Sequence, residues 1–403
     1  MKYIVVLGDG MADEPLEMLG GKTPLEYAST PQMDRLASQS EIGMAVTIPE
    51  GMAPGSDTAN LSVLGYDPQK YYTGRSPLEA LSIGAGMEEG DVAFRCNLVT
   101  LTEKDAPYEK QTILDHSSDE IRTEDAKILL QAVLDRMEVP DGKFYVGTSY
   151  RHCMIWKNGM PGELTPPHDI LEQEIGPWLP SDPRLLQMQK CSYEILKEHP
   201  LNLERKRQGK NPANSFWCWG AGTRPALPDF RETFGKRGIM ISAVDLLKGI
   251  AIGAGMDCAE VPGANGGLDT NYEGKAQAAV DALLKDGYDL AYLHIEAPDE
   301  MGHQGSAERK IQAIENIDRR VLGPLTRQLD DAGTPYRLLV LPDHPTPVRL
   351  RTHVAEPVPY LLYDSTEKRV HSWNYNEREA ALSGAAVERG CELMKLLLQQ
   401  VRL

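Results

Sequence analysis

The chain opens with a short apolar run, Tyr3-Ile4-Val5-Val6-Leu7, that stops at Gly8-Asp9-Gly10. Rich in β-branched residues and without alternation, the run predicts a strand buried on both faces of a parallel sheet, with Asp9 at its C-terminal end. The pattern returns late in the chain. Leu290-Ala291-Tyr292-Leu293-His294-Ile295 precedes Glu296-Ala297-Pro298-Asp299, and Arg337-Leu338-Leu339-Val340-Leu341 precedes Pro342-Asp343-His344. Helical patterns over 274–284 and 306–329 are long enough to cross back over a sheet. The two ends of the chain therefore predict one α/β core with a mostly parallel sheet flanked by helices. Open sheets of that kind place their chemistry at the carboxyl ends of the strands.

The middle has a different texture. Residues 124–137 read as a helix, 143–146 as a strand leading to 154–156, and 159–168 as a Pro-rich loop. The expectation is an inserted smaller α+β domain over 105–207, with 1–104 and 208–403 forming the core. Residues 211–228, dense in Gly, Pro and Trp, read as the return linker, with Trp217-Cys218-Trp219-Gly220 as hinge packing.

Charge narrows the partners. Against 42 Lys+Arg stand 59 Asp+Glu, a net −17, which speaks against a nucleic-acid surface or a polybasic membrane anchor. The first apolar run is too short for a signal segment or a spanning helix, so a cytoplasmic protein with no membrane partner is expected. Six cysteines lie scattered without a C-x-x-C pair, which suggests neither a disulfide framework nor a thiolate zinc site.

The candidate chemistry is carboxylate and imidazole. Asp299 and His303 are four apart, so one turn of helix puts them on one face. Asp343, His344 and His353 follow within fifty residues, all near predicted strand ends. Singly, each has an ordinary reading as a cap or a polar loop edge; together they form a ligand set for divalent metals. Gly55-Ser56-Asp57-Thr58-Ala59-Asn60 follows a Pro/Gly/Met-rich loop and precedes a helical pattern, which exposes a serine at a helix N-terminus. From the hexapeptide alone, Ser56 or Asp57 serves equally well as an N-cap. A serine hydroxyl becomes a nucleophile when a base or metal lowers its pKa, and this ligand set offers that activation.

Taken together, Asp9, Gly55-Ser56-Asp57, Asp299-x-x-Gly-His303, Asp343-His344 and His353 resemble the alkaline-phosphatase superfamily, and within it the cofactor-independent phosphoglycerate mutases of the archaeal type. The resemblance spans nearly the whole chain. It extends to Gly20-Gly21-Lys22-Thr23-Pro24-Leu25-Glu26, Leu64-Gly65-Tyr66-Asp67-Pro68, Tyr71-Tyr72-Thr73-Gly74-Arg75, Val92-Ala93-Phe94-Arg95-Cys96-Asn97 and Asp269-Thr270-Asn271-Tyr272-Glu273-Gly274-Lys275. It implies an alkaline-phosphatase-like core and interconversion of 3- and 2-phosphoglycerate without 2,3-bisphosphoglycerate. It implies that Asp9, Ser56, Asp343 and His344 hold one divalent ion, that Asp299, His303 and His353 hold a second, and that Ser56 is phosphorylated. Mn2+ is the expected ion, with Zn2+ and Mg2+ as alternatives and no organic cofactor. The inserted domain would then act as a lid that keeps water from the phosphoryl group. Arg75, Arg95, His116, Arg151, His152, His168 and Lys275 are the expected substrate contacts, in an island of positive charge within an acidic chain.

One stretch departs from the resemblance. Where these mutases are expected to carry a basic Asp-Arg-Arg-Ala-Gly-Arg segment, this chain reads Asp115-His116-Ser117-Ser118-Asp119-Glu120. Guanidinium forks are the usual holders of a doubly anionic substrate. The chain is also similar to a bacterial branch linked to homoserine phosphorylation, so a homoserine kinase-like phosphotransferase is the alternative. A metallophosphatase or nucleotide pyrophosphatase, and a metal-stabilised binding protein with Ser56 as a cap, complete the alternatives. Oligomeric state is not legible.

Overall fold

The computed structural model describes residues 1–137, 141–159, 162, 164–367 and 369–400. These residues form thirteen strands: β1 (Lys2–Gly8), β2 (Glu41–Ala45), β3 (Val92–Leu101), β4 (Ile113–Asp115), β5 (Gly142–Tyr145), β6 (Arg151–Trp156), β7 (Ser215–Thr223), β8 (Gly238–Ile241), β9 (Asp257–Cys258), β10 (Leu290–Ile295), β11 (Tyr336–Leu341), β12 (Val358–Asp364) and β13 (Ala386–Val387). They divide between two compact units, Met1–Tyr72 with Ala226–Leu403, and Thr73–Pro225.

The first unit is built on an eight-stranded sheet in the order β13-β2-β12-β11-β1-β10-β8-β9. Its centre is parallel: β1 pairs with β10 and β11, and β10 pairs with β8. On the other side β12 runs antiparallel to both β11 and β2. The apolar runs read from the sequence are these central strands. Ile4 and Val6 pack with Ala276, Ala279 and Ile314, while Val5 and Leu7, which alternation sends to the opposite face, are just as fully buried. Asn271 starts the helix Tyr272–Leu284, its Oδ1 accepting from Gly274 N–H. The helix expected over 306–329 is interrupted. Ala307–Asn316 is α-helical, Ile317–Leu322 is a π-helical stretch, and Gly323–Asp331 continues as α-helix. The widened turn carries Asp318, which accepts from the N–H groups of Gln32 and Met33 and so caps the helix Pro31–Ala37.

The second unit has a five-stranded antiparallel sheet in which β3 pairs with β4, β6 and β7, and β5 pairs with β6. Val92, Phe94, Cys96 and Leu98 point to one face and pack against Leu129, Leu130, Leu185 and Met188 of the helices Thr123–Leu134 and Pro183–Leu196. This unit takes in residues on both sides of 105–207 because β3 and β7 belong to its sheet. Residues 211–228 are accordingly no linker: Phe216, Trp217 and Cys218 are buried and pair with Leu98, Asn97 and Cys96. Gly and Pro flank that strand and hide its apolar centre from a composition-based reading. Of the expected loop 159–168, Met160, Pro161 and Glu163 lie outside the described residues. All six cysteines are free thiols. No described helix is long and apolar enough to cross a membrane.

Candidate active site

Three neighbouring strands deliver the ligand set. Asp9 follows β1, Asp343 and His344 follow β11, and β10 runs into the short helix Ala297–His303 that carries Asp299 and His303. Adjacency in the sheet, not in the chain, brings these carboxylates together. Gly10 makes the approach possible: at φ 58° it donates its N–H to Asp343 Oδ1 at 3.0 Å. A Cβ there would meet Thr346 Oγ1 at 2.5 Å and Asp299 Oδ1 at 2.6 Å.

Ser56 is the first residue of the helix Ser56–Val63, and Gly55 occupies the cap position. The serine therefore does not cap. Its Oγ lies 3.1 Å from His344 Nε2 and 3.4 Å from Asp9 Oδ2. One turn on, Asn60 Nδ2 donates to Ser56 O and to Asp343 Oδ2, both at 2.9 Å, and its Oδ1 accepts from Tyr292 OH at 2.7 Å. That amide ties the serine's turn to the buried Asp343 carboxylate.

The imidazoles close the other side. His303 Nε2 is 3.2 Å from Asp299 Oδ2, and His353 Nε2 is 3.4 Å from Asp299 Oδ1. Arg351 O accepts from His303 Nδ1 at 2.9 Å, which turns Nε2 toward Asp299. The Asp299 hydrogen bond pushes the His303 imidazolium up to about 9. Burial, then the Asp343 and Asp299 charges, hold the Asp9 carboxyl well above the usual range. Burial acts on Asp299 too, but the His303 and His353 bonds outweigh it and hold that carboxyl well below. Buried like charges of this kind call for a cation. Asp9 Oδ1, buried and 3.5 Å from His344 Nε2, accepts no hydrogen bond among the described residues, and a metal ion would satisfy it. The donor set fits divalent ions: the ligand atoms of Asp299, His344 and His353 lie within 4.8 Å of one another, as do those of Asp9, His294 and Asp343.

A family model described as 2,3-bisphosphoglycerate-independent phosphoglycerate mutase matches residues 37–202. The 2,3-bisphosphoglycerate-independent phosphoglycerate mutase of Methanosarcina barkeri is 46% identical over 405 residues, covering 99% of this chain and 100% of the relative. The chain belongs to this mutase family. Two solved structures extend the likeness. A Pyrococcus horikoshii protein has 30% identity and a TM-score of 0.82, covering 100% of this chain and 98% of its own. The cofactor-independent phosphoglycerate mutase of Thermoplasma acidophilum has 27% identity and a TM-score of 0.66, covering 99% and 100%.

Among the substrate contacts expected from the mutase family, Lys275 lies in the first unit. It is buried on the helix Tyr272–Leu284, its Nζ donates to His294 O at 3.1 Å, and burial brings the ammonium down to about 8. The second unit gathers most of the others. Arg75 and Arg95 share Glu79 at 2.8 and 3.0 Å. The Arg95 guanidinium lies 4.3 Å over the Trp219 ring, and His168 meets that ring edge-on and neighbours His116. Tyr150 lies edge-on to His116, with the Arg151 guanidinium over it. His152 stands apart: strand alternation turns it to the helix-covered face with Cys96, where its Nδ1 accepts from Gly147 N–H and burial brings it down to about 4. Trp219, read from the sequence as hinge packing, is instead the ring on which Arg95 and His168 meet. The acidic stretch is engaged with itself. Asp115 accepts from the N–H groups of Ser117 and Asp119, and Asp119 accepts from Asn211. The Asp115 and Asp119 carboxylates are therefore taken up by hydrogen bonds within the loop and from Asn211.

Sequence reading missed Asn60, His294 and Thr346, whose hydroxyl donates to Asp299 Oδ1. For His294 a signal existed: it is a polar residue in an otherwise apolar buried strand, and such residues need a partner.

Proposed function

We propose that this member of the family interconverts 3-phosphoglycerate and 2-phosphoglycerate by passing the phosphoryl group to Ser56 and back. The observation that carries the reading is Ser56 Oγ at a helix start, uncommitted to capping, between Asp9 and His344. Asp9, Ser56, Asp343 and His344 are assigned to one divalent ion, and Asp299, His303 and His353 to the other, with Mn2+ as the proposed metal. When bound, such ions neutralise phosphoryl oxygens and lower the pKa of a serine hydroxyl.

The chain's own groups do the rest. The helix that begins at Ser56 presents its positive end to an incoming phosphate. Asn60 fixes both the Ser56 turn and the Asp343 carboxylate, so the nucleophile and its surroundings move as one. Lys275, assigned to the substrate, adds a buried cation whose Nζ donates to His294 O. In the second unit, Arg75, Arg95, Arg151, His116, His168 and Trp219 are assigned to the negatively charged glycerate end, with His152 supporting the strand beneath them. Water exclusion separates a mutase from a phosphatase, and the second unit is assigned that task.

The test is phosphorus NMR on metal-replete enzyme given 3-phosphoglycerate alone. The 2-phosphoglycerate resonance should grow without added bisphosphoglycerate, and Ser56→Ala should abolish it. Growth of inorganic phosphate in its place would make the enzyme a phosphatase. Undiminished turnover in Ser56→Ala would remove the phosphoserine route.

A further inference from the structure

Three adjacent strands, β8, β10 and β1, end in a row of polar residues. Leu293 pairs with Ile241, which sets Ser242 beside His294, and Leu7 pairs with His294, which leaves Asp9 two residues further along the neighbouring strand. All three are buried, His294 completely. Ser242 Oγ lies 3.1 Å from His294 Nδ1, and His294 Nε2 lies 2.8 Å from Asp9 Oδ2. The strand is fixed on both sides of the ring, since His294 O accepts from Lys275 and Ile295 O accepts from Asp9 N–H.

The hydrogen inventory picks the tautomer. Ser242 Oγ accepts from Val244 N–H at 3.0 Å, and its single proton is left for His294 Nδ1. A carboxylate that ligates a metal ion is ionised and only accepts, so with the ion bound Asp9 Oδ2 requires the proton on Nε2. Both ends agree: Nδ1 accepts and Nε2 donates. Asp9 Oδ2 is then held, and Oδ1, which accepts no hydrogen bond among the described residues and lies 3.5 Å from His344 Nε2, is the oxygen left for a ligand.

We propose that His294 is a positioning residue for Asp9, holding Oδ2 through Nε2–H so that Oδ1 faces the metal, with Ser242 fixing the tautomer. The proposal rests on the reading of Asp9 as a metal ligand. It competes with direct ligation by His294, because the ligand atoms of Asp9, His294 and Asp343 lie within 4.8 Å of one another. The two roles exclude each other, since Nε2 cannot donate a proton to Asp9 and an electron pair to a metal. Outer partners of this kind are worth about 10–100-fold in metal affinity.

The experiment is Mn2+ titration of the metal-free protein, with free ion followed by electron paramagnetic resonance and folding checked by circular dichroism. Asp9→Ala tests the underlying reading: unchanged affinity there would remove Asp9 as a ligand. His294→Ala should weaken binding by about 10–100-fold, and Ser242→Ala should weaken it less. His294→Gln is the deciding variant, because its amide restores an N–H toward Asp9 but is a poor ligand; affinity within about threefold of the parent is expected. If Asp9→Ala weakens binding and His294→Ala does not, the positioning role is overturned. If His294→Gln binds as weakly as His294→Ala, direct ligation wins. Should His294→Ala fail to fold, proton–nitrogen NMR of the Mg2+-loaded parent decides: a proton on His294 Nε2 supports the proposal, and its absence refutes it.

Discussion

Asn60 is the residue through which the helix start and the sheet end are joined, and Asn60→Leu removes that joint while keeping most of the volume. Three bonds go: Nδ2 to Ser56 O, Nδ2 to Asp343 Oδ2, and Tyr292 OH to Oδ1. A neutral hydrogen bond contributes about 1 kcal/mol and one to a charged group about 1.5–3 kcal/mol. The site is fully buried, so water does not replace the lost partners. The expected destabilisation is therefore about 3–5 kcal/mol, read as a shift of the urea midpoint at constant slope. Tyr292→Phe removes only the neutral bond and should cost about 1–2 kcal/mol. A double-mutant cycle should show strong coupling, since the Tyr292 hydroxyl has nothing to bond once Asn60 is gone. A cost of less than about 1 kcal/mol for Asn60→Leu, or one no greater than that of Tyr292→Phe, would show that Asn60 does not join the helix start to the sheet.

Further outcomes follow from the same geometry. Gly10→Ala should destabilise the first unit and weaken Mn2+ binding, because the new methyl group meets Thr346 and Asp299 at a positive φ; calorimetry and metal titration read both. Lys310 is fully buried, with Nζ bonded to Ala12 O, Thr346 O and Asp13 Oδ2, so Lys310→Met strands the Asp13 carboxylate and should cost about 3–5 kcal/mol in denaturant unfolding. His152 has its pKa lowered from 6.5 to about 4 by burial, so between those values the unfolded chain binds the extra proton and stability falls as pH falls. From about pH 7 to pH 5 the parent should lose about 2 kcal/mol more than His152→Asn, measured by urea unfolding at each pH. Chelation should abolish turnover and lower the melting temperature of the first unit, and returned Mn2+ should restore both.

The donor chemistry of the site was legible because it is a matter of residue type. Asp9, Asp299 and Asp343 each end an apolar run, and a strand buried on both faces announces itself by composition. The second unit was harder to read. Its strand Ser215–Thr223 carries two glycines and two tryptophans, and only pairing with Val92–Leu101 shows that it is sheet. The limits of that unit followed from the same pairing. Arg95 and His168 were candidate substrate contacts, yet their meeting at Trp219 depends on a register between strands more than a hundred residues apart.

What the sequence by itself determined is the list of groups able to bind metal and accept a phosphoryl group, together with the strands that carry them. Both are local properties of residue type and spacing. The tertiary structure alone decided which groups face one another: Ser56 turned from the cap toward Asp9 and His344, Asn60 joined to Asp343, and His294 set beside Asp9. The physical reason is that strand order and register assign neighbours across hundreds of residues, and no local pattern encodes that assignment.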